Sequence, residues 1–401
     1  MLRLSFRRSS RTRFFRATAL CLVIALLIDL FSLSAARHHV SSASNDIGKE
    51  RIFIASIHWN NEAILRSHWN QAVLQLVEHL GPENVYVSIL ESGSWDDSKG
   101  ALRLLDGELG KRQTGRTIIL DETTHADEIG AAPGHSGWID TTRGKKELRR
   151  IPYLSRLRNR SLEPLVELAD KGIKFDKLLF LNDVVFDTRD IVTLLSTRDG
   201  NYAAACSLDF SKPPHYYDTF ALRDSNGDEA VTSTYPFFRS SASRNALISG
   251  QPVPVQSCWN GIVAFDAAPF YHTPALRFRG IPDSLARYHL EGSECCLVHA
   301  DNPLTLERGV WLNPHVRVGY NAEAYENVHR GKAWPSLADS VVGLWRNRFW
   351  RWVTPTIHKS WKIRGTLRRW TRKGLGEISQ RESMCLINEM QVLVANGWAH
   401  V

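Results

Sequence analysis

The sequence predicts an α/β fold on a mostly parallel central sheet, and three observations carry that prediction. Short apolar runs recur at RIFIASI (51–57), NVYVSIL (84–90) and TIIL (117–120). Between them, apolar residues fall three and four apart, so the hydrophobic period switches between strand and helix as in successive βαβ units. The third observation is KLLFLNDVVFD at 177–187, where Leu178, Leu179, Phe180 and Leu181 are apolar without alternation. Such a run reads as a strand buried on both faces, at the centre of the sheet.

Taken in order, residues 1–16 hold six arginines and no acid, a basic cytoplasmic tail. Residues 17–36 carry only Asp29 as a charge, and about 20 such residues are enough to cross a bilayer. The arginines ahead of this span hold the N-terminus inside, so an N-terminal transmembrane signal anchor with the rest on the far side is expected. A cleaved signal peptide is the rival reading, because Ser34-Ala35-Ala36 resembles a cleavage site, but the apolar stretch exceeds a usual signal core. Residues 37–50 are a polar, Ser-rich stem.

The body, 51–330, opens with the first strand. A helix with Ile64, Leu65, Trp69, Val73, Leu76, Val77 and Leu80 on one stripe follows and stops at Gly81-Pro82. A second strand leads into Glu91, a second helix covers 97–110, and TIIL is the third strand. Residues 125–144 show no period and are expected to be a long surface loop. Residues 147–171 read as one helix, kinked at Pro164, with Arg149, Arg150, Arg156, Arg158 and Arg160 crowding one side. After the central strand come a short helix (188–197), a strand (201–210) and a loop-rich stretch (211–257). A strand at 257–266 enters through Asn260-Gly261, and a helix over 292–299 follows. The last strand, 309–320, is placed at a sheet edge by Pro314. Residues 331–401 form a basic, Trp-rich extension.

Composition narrows the partners. The net charge of +8 divides into +5 over 1–50, +10 over 346–373 and −2 over 374–401, which leaves −5 on 51–345. A body with an acidic excess excludes nucleic acid as the substrate, since polyphosphate backbones require a basic footprint. In the extension, tryptophans alternate with Lys and Arg, a pattern suited to a membrane surface or an anionic glycan, or to a helical extension packing its Trp on the body. The six cysteines show no zinc spacing. Beyond Cys21 five remain, which allows two disulfides at most, with the pairing open.

In open α/β sheets ligands sit beyond the carboxyl ends of the strands, so Asp183 points toward a crevice. There it can bind a hard divalent cation that also grips phosphates, or it can simply cap the next turn. With the arginine-bearing helix beside it, the chemistry served is the holding of a diphosphate, and charge on a departing diphosphate would be stabilised by the same groups. No GxSxG or GxxxxGK[ST] motif is present to support hydrolase or P-loop chemistry.

Seven collinear segments across 51–322, among them NVYVSILESGSWD, RIPYLSRLRNRSLEPL, FDKLLFLNDVVF, VPVQSCWNGIVAFDA and SECCLVHAD, resemble the fungal capsule-associated α-1,3-mannosyltransferases. The resemblance implies a GT-A-like nucleotide-diphospho-sugar transferase fold and a single-pass type II enzyme of the Golgi membrane with a luminal catalytic domain. It implies GDP-mannose as donor, a mannose-containing glycan as acceptor, an α-1,3 linkage with retention, and a divalent cation, expected to be Mn²⁺. Asn182-Asp183-Val184 stands where such folds have DxD, so Asp183 is the metal candidate, and His299 is nominated as its second ligand against a structural role.

For the donor, Ser56, Glu91, Arg158, Asn159 and Asn182 are the expected contacts; Glu91 has an N-cap role as its alternative. Asn159 also heads the sequon Asn159-Arg160-Ser161, expected to be unmodified if its helix lines the donor site. Asp218, Arg223, Asp224, Trp259 and Asn260 are expected around the donor sugar and acceptor, and Glu294 beside the reacting carbon with Asp183 as catalytic residues. Another donor on the same scaffold, UDP-galactose or UDP-xylose, and a non-catalytic glycan-binding factor of the secretory pathway are the alternatives.

Overall fold

The computed structural model describes residues 50–329, 334–354 and 357–401 (357–360 by backbone alone), together with residues 16, 17, 20, 23, 24, 27 and 29. The basic tail, the anchor and the stem therefore lie almost wholly outside the described residues. Among the described residues no helix is long and apolar enough to cross a membrane.

The strands are β1 (Ile52–His58), β2 (Val85–Ser92), β3 (Gly115–Asp121), β4 (Trp138–Asp140), β5 (Lys146–Leu148), β6 (Lys177–Leu181), β7 (Ala204–Lys212), β8 (His215–Tyr216), β9 (Arg223–Asp224), β10 (Val253–Ser257), β11 (Ile262–Asp266), β12 (Glu291–Gly292), β13 (Val310–Gly319), β14 (Leu386–Ile387), β15 (Gln391–Val394) and β16 (Gly397–His400). The helices used below are α1 (Asn70–Leu80), α2 (Ser98–Lys111), α3 (His125–Gly130), α4 (Arg150–Ser161), α5 (Glu163–Asp170), α6 (Thr188–Leu195), α7 (Ser241–Ile248), α8 (Glu294–Asp301), α9 (Ala322–His329), α10 (Leu337–Val353) and α11 (Ile357–Arg372).

One sheet dominates, in the order β3-β2-β1-β6-β11-β7-β13-β10-β9 with β8 against β7. β1, β2, β3 and β6 run parallel, and β13 runs parallel to β7. The interior strand β11 is reversed, antiparallel to both β6 and β7. Side chains of β1 and β6 alternate between two cores as strand geometry requires. Ile54, Leu179 and Leu181 face α1, α2 and α6, whereas Phe53, Leu178 and Phe180 face the aromatic core of Phe175, Phe238, Phe265 and Phe270. Both faces are covered, which is why β6 carries no polar residue between Leu178 and Leu181.

Several expectations are corrected. The long loop at 125–144 contains α3, opened by a reciprocal Thr124/Asp127 capping box, and the strand β4, which pairs with β5. The single helix at 147–171 is two: α4 ends at Ser161, and α5 starts with Pro164 in its first turn, where its missing N–H costs no helical bond. The loop-rich 211–257 contains α7 as well as β8, β9 and β10. Pro314 does not mark an edge. β13 lies between β7 and β10, and Pro314 sits where the register to β7 shifts between Leu312 and Arg317, so no ladder donor is missing there.

The extension is built into the body. β14 pairs with β12, and Cys385 is disulfide-bonded to Cys296 of α8, while Cys206 of β7 is bonded to Cys258. Arg149, fully buried, donates to Glu291 and to Asp283 and braces the same corner. The Cys296–Cys385 bond closes a separation of 89 residues. Replacing Cys385 by Ser is expected to cost on the order of 2–5 kcal/mol of unfolding free energy, read as a lower denaturant midpoint. An unchanged midpoint would show that β14–β16 are held without it.

Candidate active site

β6 ends at Leu181, and the next two residues are pinned from several sides. The Asn182 N–H donates to the Gly261 carbonyl (3.0 Å), and the Asn182 carbonyl accepts from the Trp69 indole (2.9 Å) and from Val184 N–H (2.9 Å). Val185 is bridged to Gly319 of β13. The chain therefore turns at Asp183 and presents its carboxylate, partly exposed, at the carboxyl edge of the sheet. Gly261 is required here: its φ is +88°, and a Cβ would lie 2.7 Å from Val318 Cγ2. Asn61 donates to the Asp183 carboxylate (3.0 Å). Burial pushes the Asp183 carboxyl up to about 6, and the Asn61 bond works against that rise.

Beside this turn opens a cavity of about 880 Å³, with Asn182, Arg158, Asp218, Trp259, Glu294 and Tyr320 among its lining. It sits at the ends of β6, β7 and β13 and at the start of the reversed β11, the crevice position of an α/β sheet. Trp259 is the hub. Its indole N–H donates to the Asn182 side-chain oxygen (3.0 Å), and the Arg158 guanidinium lies 4.2 Å over its ring. Arg158 Nε donates to Glu294 Oε1 (3.1 Å), and Arg158 Nη1 is buried with no hydrogen-bond partner. An orphaned guanidinium nitrogen at a cavity is a donor kept for an anionic ligand.

Asp218 caps its own loop, its Oδ1 accepting from Phe220 and Ala221 N–H. Beneath it lies Asp209, in the second half of β7, bonded by Asn260, by Tyr320 Oη (3.2 Å) and by the Asp218 backbone N–H. Burial first, then the Asp218 charge, raises the Asp209 carboxyl well above the usual range; burial likewise raises Asp218. Tyr320 is held far up by burial and by Asp209, Asp183 and Asp218, which places Asp183 in the same electrostatic neighbourhood.

Arg158, Asn182, Asp218, Trp259 and Glu294 line this cavity together; Asp183, next in the chain to Asn182, is not among its lining, though its charge reaches Tyr320, which is. Other candidates lie elsewhere. Ser56 is fully buried, donating to the Leu181 carbonyl (2.6 Å) and bonded to His58, so it ties β1 to β6. Glu91, also fully buried, accepts from Ser94 N–H and lies 3.4 Å from Lys99; it is not the N-cap of the next helix either, a place taken by Asp97. Asn159 exchanges two bonds with the Phe278 backbone on the far side of α4, which occupies the sequon amide. Arg223 donates to the carbonyls of Met384, Phe220 and Leu222, and Asp224 accepts from Asn226, Asp228 and Ser240 N–H; both are loop braces. Asn260 is buried on Asp209 and the Asp218 carbonyl and orients the acid pair from behind.

His299 is not beside Asp183. It is fully buried, donates Nε2–H to the Cys258 carbonyl (2.7 Å), stacks on Phe265, and is depressed to about 4 by burial. Among the described residues, the one group of three ligand-type side chains is Cys206, Cys258 and His299, and its two sulfurs are spent on the disulfide. A second ligand for a cation at Asp183 therefore has to come from elsewhere.

Reasoning from sequence missed Asn61, Asp209, Tyr320 and the whole outer wall. That wall comes from the extension: Lys362, Asn388, Glu389, Gln391, Trp398 and His400. Arg150 bridges the two parts, donating to Gln391 (2.6 Å) and lying 4.5 Å over Trp398. Asp209 had a signal, since ACSLD repeats the pattern of LLFLND, an apolar strand ending in an acid.

The family described as cryptococcal mannosyltransferase 1 matches residues 51–301. Alpha-1,3-mannosyltransferase CMT1 of Cryptococcus neoformans is 25% identical over 276 residues, 64% of this chain and 55% of that protein, so the chain spans about half the length of the curated relative it matches. Among solved structures, the mannosyltransferase PcManGT of Pyrobaculum calidifontis, in complex with GDP-Man and Mn²⁺, is 10% identical with a TM-score of 0.37, covering 91% of this chain and 87% of that one. TarS of S. aureus in complex with UDP is 10% identical with a TM-score of 0.34, covering 65% and 57%. The family match takes in more than half of the sequence and includes the β6 turn, Arg158, Trp259 and Glu294. The chain belongs to the cryptococcal mannosyltransferase 1 family.

Proposed function

We propose that the protein is a GT-A-type glycosyltransferase that moves mannose from GDP-mannose to a mannose-containing glycan, forming an α-1,3 linkage with retention. The observation that carries this reading is the cavity itself. Its floor holds Asn182, the residue before the partly exposed Asp183 carboxylate, and a buried guanidinium that keeps an unpartnered donor. Arg158, with Arg150 and Lys362 around the rim, supplies positive charge for a diphosphate, and charges fixed in place act on the charge that develops as it leaves. Trp259 forms the wall for the sugar, and Glu294, held by Arg158, borders the space of the reacting carbon. Asp218 is placed to accept a hydrogen bond from an incoming sugar hydroxyl.

The donor set at the β6 tip is one carboxylate, because the Asn182 amide is spent on Trp259 and Val184 is buried. That is too little for a cage made of protein alone, and it fits a cation shared with substrate phosphates. Asp183 would hold it, and a bound divalent cation, expected as Mn²⁺, supplies neutralisation of the diphosphate. Two disulfides support an oxidising compartment, in keeping with a luminal body behind a Golgi membrane anchor.

Asp183→Asn in the full chain is expected to lower transfer from GDP-mannose to an α-mannobiose acceptor by at least ~10²-fold with an unchanged melting temperature. Activity within a few fold of the parent would remove Asp183 from the site. Because a protonated carboxyl cannot ligate, Mn²⁺ affinity measured by calorimetry with GDP present is expected to fall about tenfold per pH unit below about 6, and to flatten above it. A pH-independent affinity would contradict the assignment. On the outer wall, Trp398→Ala is expected to raise the acceptor KM about tenfold while leaving the GDP-mannose KM within about twofold. Equal changes in both would show that the extension does not face the acceptor.

A further inference from the structure

The first half of the extension carries a surface that, apart from Lys362 and Ile363, the cavity does not use. α10 buries Ser340, Gly343, Leu344 and Asn347, spaced by three and four, against the body, and Gly343 lies so close to the Tyr235 carbonyl that no side chain fits there. The opposite stripe of the same helix is Val342, Arg346, Phe349, Trp350 and Val353, all exposed. Scattered exposed apolar residues are ordinary, but a continuous stripe at helical spacing is an interaction face. Trp352 next to it is 85% exposed, and Trp361 on α11 is 74% exposed. α11 buries Leu367 and Trp370 and turns Arg368, Arg369 and Arg372 outward. Residues 346–373 hold ten Lys/Arg and no acid.

A second, independent observation lies at Arg348. Its guanidinium forks onto both carboxylate oxygens of Asp29, so α10 is joined to the N-terminal apolar segment. The apolar residues described in that segment, Leu20, Val23, Ile24 and Leu27, are all exposed. The helix that bears the aromatic stripe is therefore joined to a segment with exposed aliphatic side chains of its own.

We propose that α10 and α11 rest on the surface of an anionic lipid bilayer, the Phe349–Trp350 stripe entering the headgroup region and the α11 arginines pairing with lipid phosphates and carboxylates. Charge decides the occupant. A second copy of this chain would bring the outward cations Arg368, Arg369 and Arg372 against themselves. A soluble polyanion would satisfy the arginines but leave the apolar stripe in water. A lipid surface satisfies both, since interfacial helices combine an aromatic face with a basic one. This inference does not depend on which sugar the cavity takes.

The test uses the full chain, reconstituted in detergent, in nanodiscs of phosphatidylcholine, and in nanodiscs with about one third phosphatidylserine. Hydrogen exchange of 342–353 is read in each. Exchange in the anionic discs is expected to be about tenfold slower than in neutral discs or detergent, and Phe349→Glu with Trp350→Glu is expected to abolish the difference. The N-terminal segment is the same in both discs, so the comparison isolates the headgroup charge. Equal exchange in all three media overturns the proposal. So does equal slowing by soluble polyphosphate in detergent, or slowing that follows protein concentration, which would assign the face to a polyanion or to a second copy.

Discussion

A buried guanidinium has to be compensated, and the compensation of Arg158 organises this protein. Its charge sits on the Trp259 ring and its Nε on Glu294, so three segments far apart in sequence meet at one point. Losing one member of such a pair costs about 3–5 kcal/mol, because the remaining charge is left desolvated. Trp259 then passes the constraint onward through its indole N–H to Asn182, and Asn182 fixes the turn that presents Asp183. Arg158, Trp259, Glu294 and the turn that carries Asp183 are thus one connected assembly, in which one Arg158 nitrogen finds no partner inside the protein.

The extension closes the other side. β14 adds to β12, the Cys296–Cys385 bond fixes it to the helix that bears Glu294, and Arg149 locks the corner with Glu291 and Asp283. The hairpin of β15 and β16 then stands opposite Trp259, with Arg150 stacked on Trp398. The family match ends at residue 301, so the outer wall lies beyond the matched residues while Arg158, Asn182, Trp259 and Glu294 lie within them.

Much of the sheet was legible in the sequence, because strands buried on two faces are apolar without interruption. Strand direction was not: IVAF in β11 reads the same either way, and its reversal depends on pairing partners distant in sequence. The site was legible at its strand tips and less so elsewhere. Arg158 and Asn159 are neighbours, yet successive helical residues point about 100° apart, so one faces the cavity and the other the Phe278 loop. Ser56 and Glu91 lie near the right strand ends, but their side chains are consumed by the ladder and the loop beneath it. Arg223, Asp224 and Asn260 share a neighbourhood with Asp218 and serve to shape it. His299 has the residue type of a ligand and the seat of a core side chain. Tyr320 and Trp398 carried no local signal, since what makes them part of the site is tertiary.

The asparagine at the first position of the β6 motif has a physical role that an acid could not fill as well. Burial already raises the Asp183 carboxyl to about 6, close to the point at which it would be protonated under working conditions. A second carboxylate at position 182 would add a like charge one residue away and push Asp183 higher still. Asp209, a short distance off, shows the outcome in this same protein: buried beside the Asp218 charge, its carboxyl is raised well above the usual range. Asn182 accepts the Trp259 N–H through a neutral oxygen and so holds the turn without spending charge. The single ionised carboxylate at the tip of β6 follows from that choice: its geometry is set by neutral groups, Asn61 and Asn182, leaving its charge for whatever binds beside it.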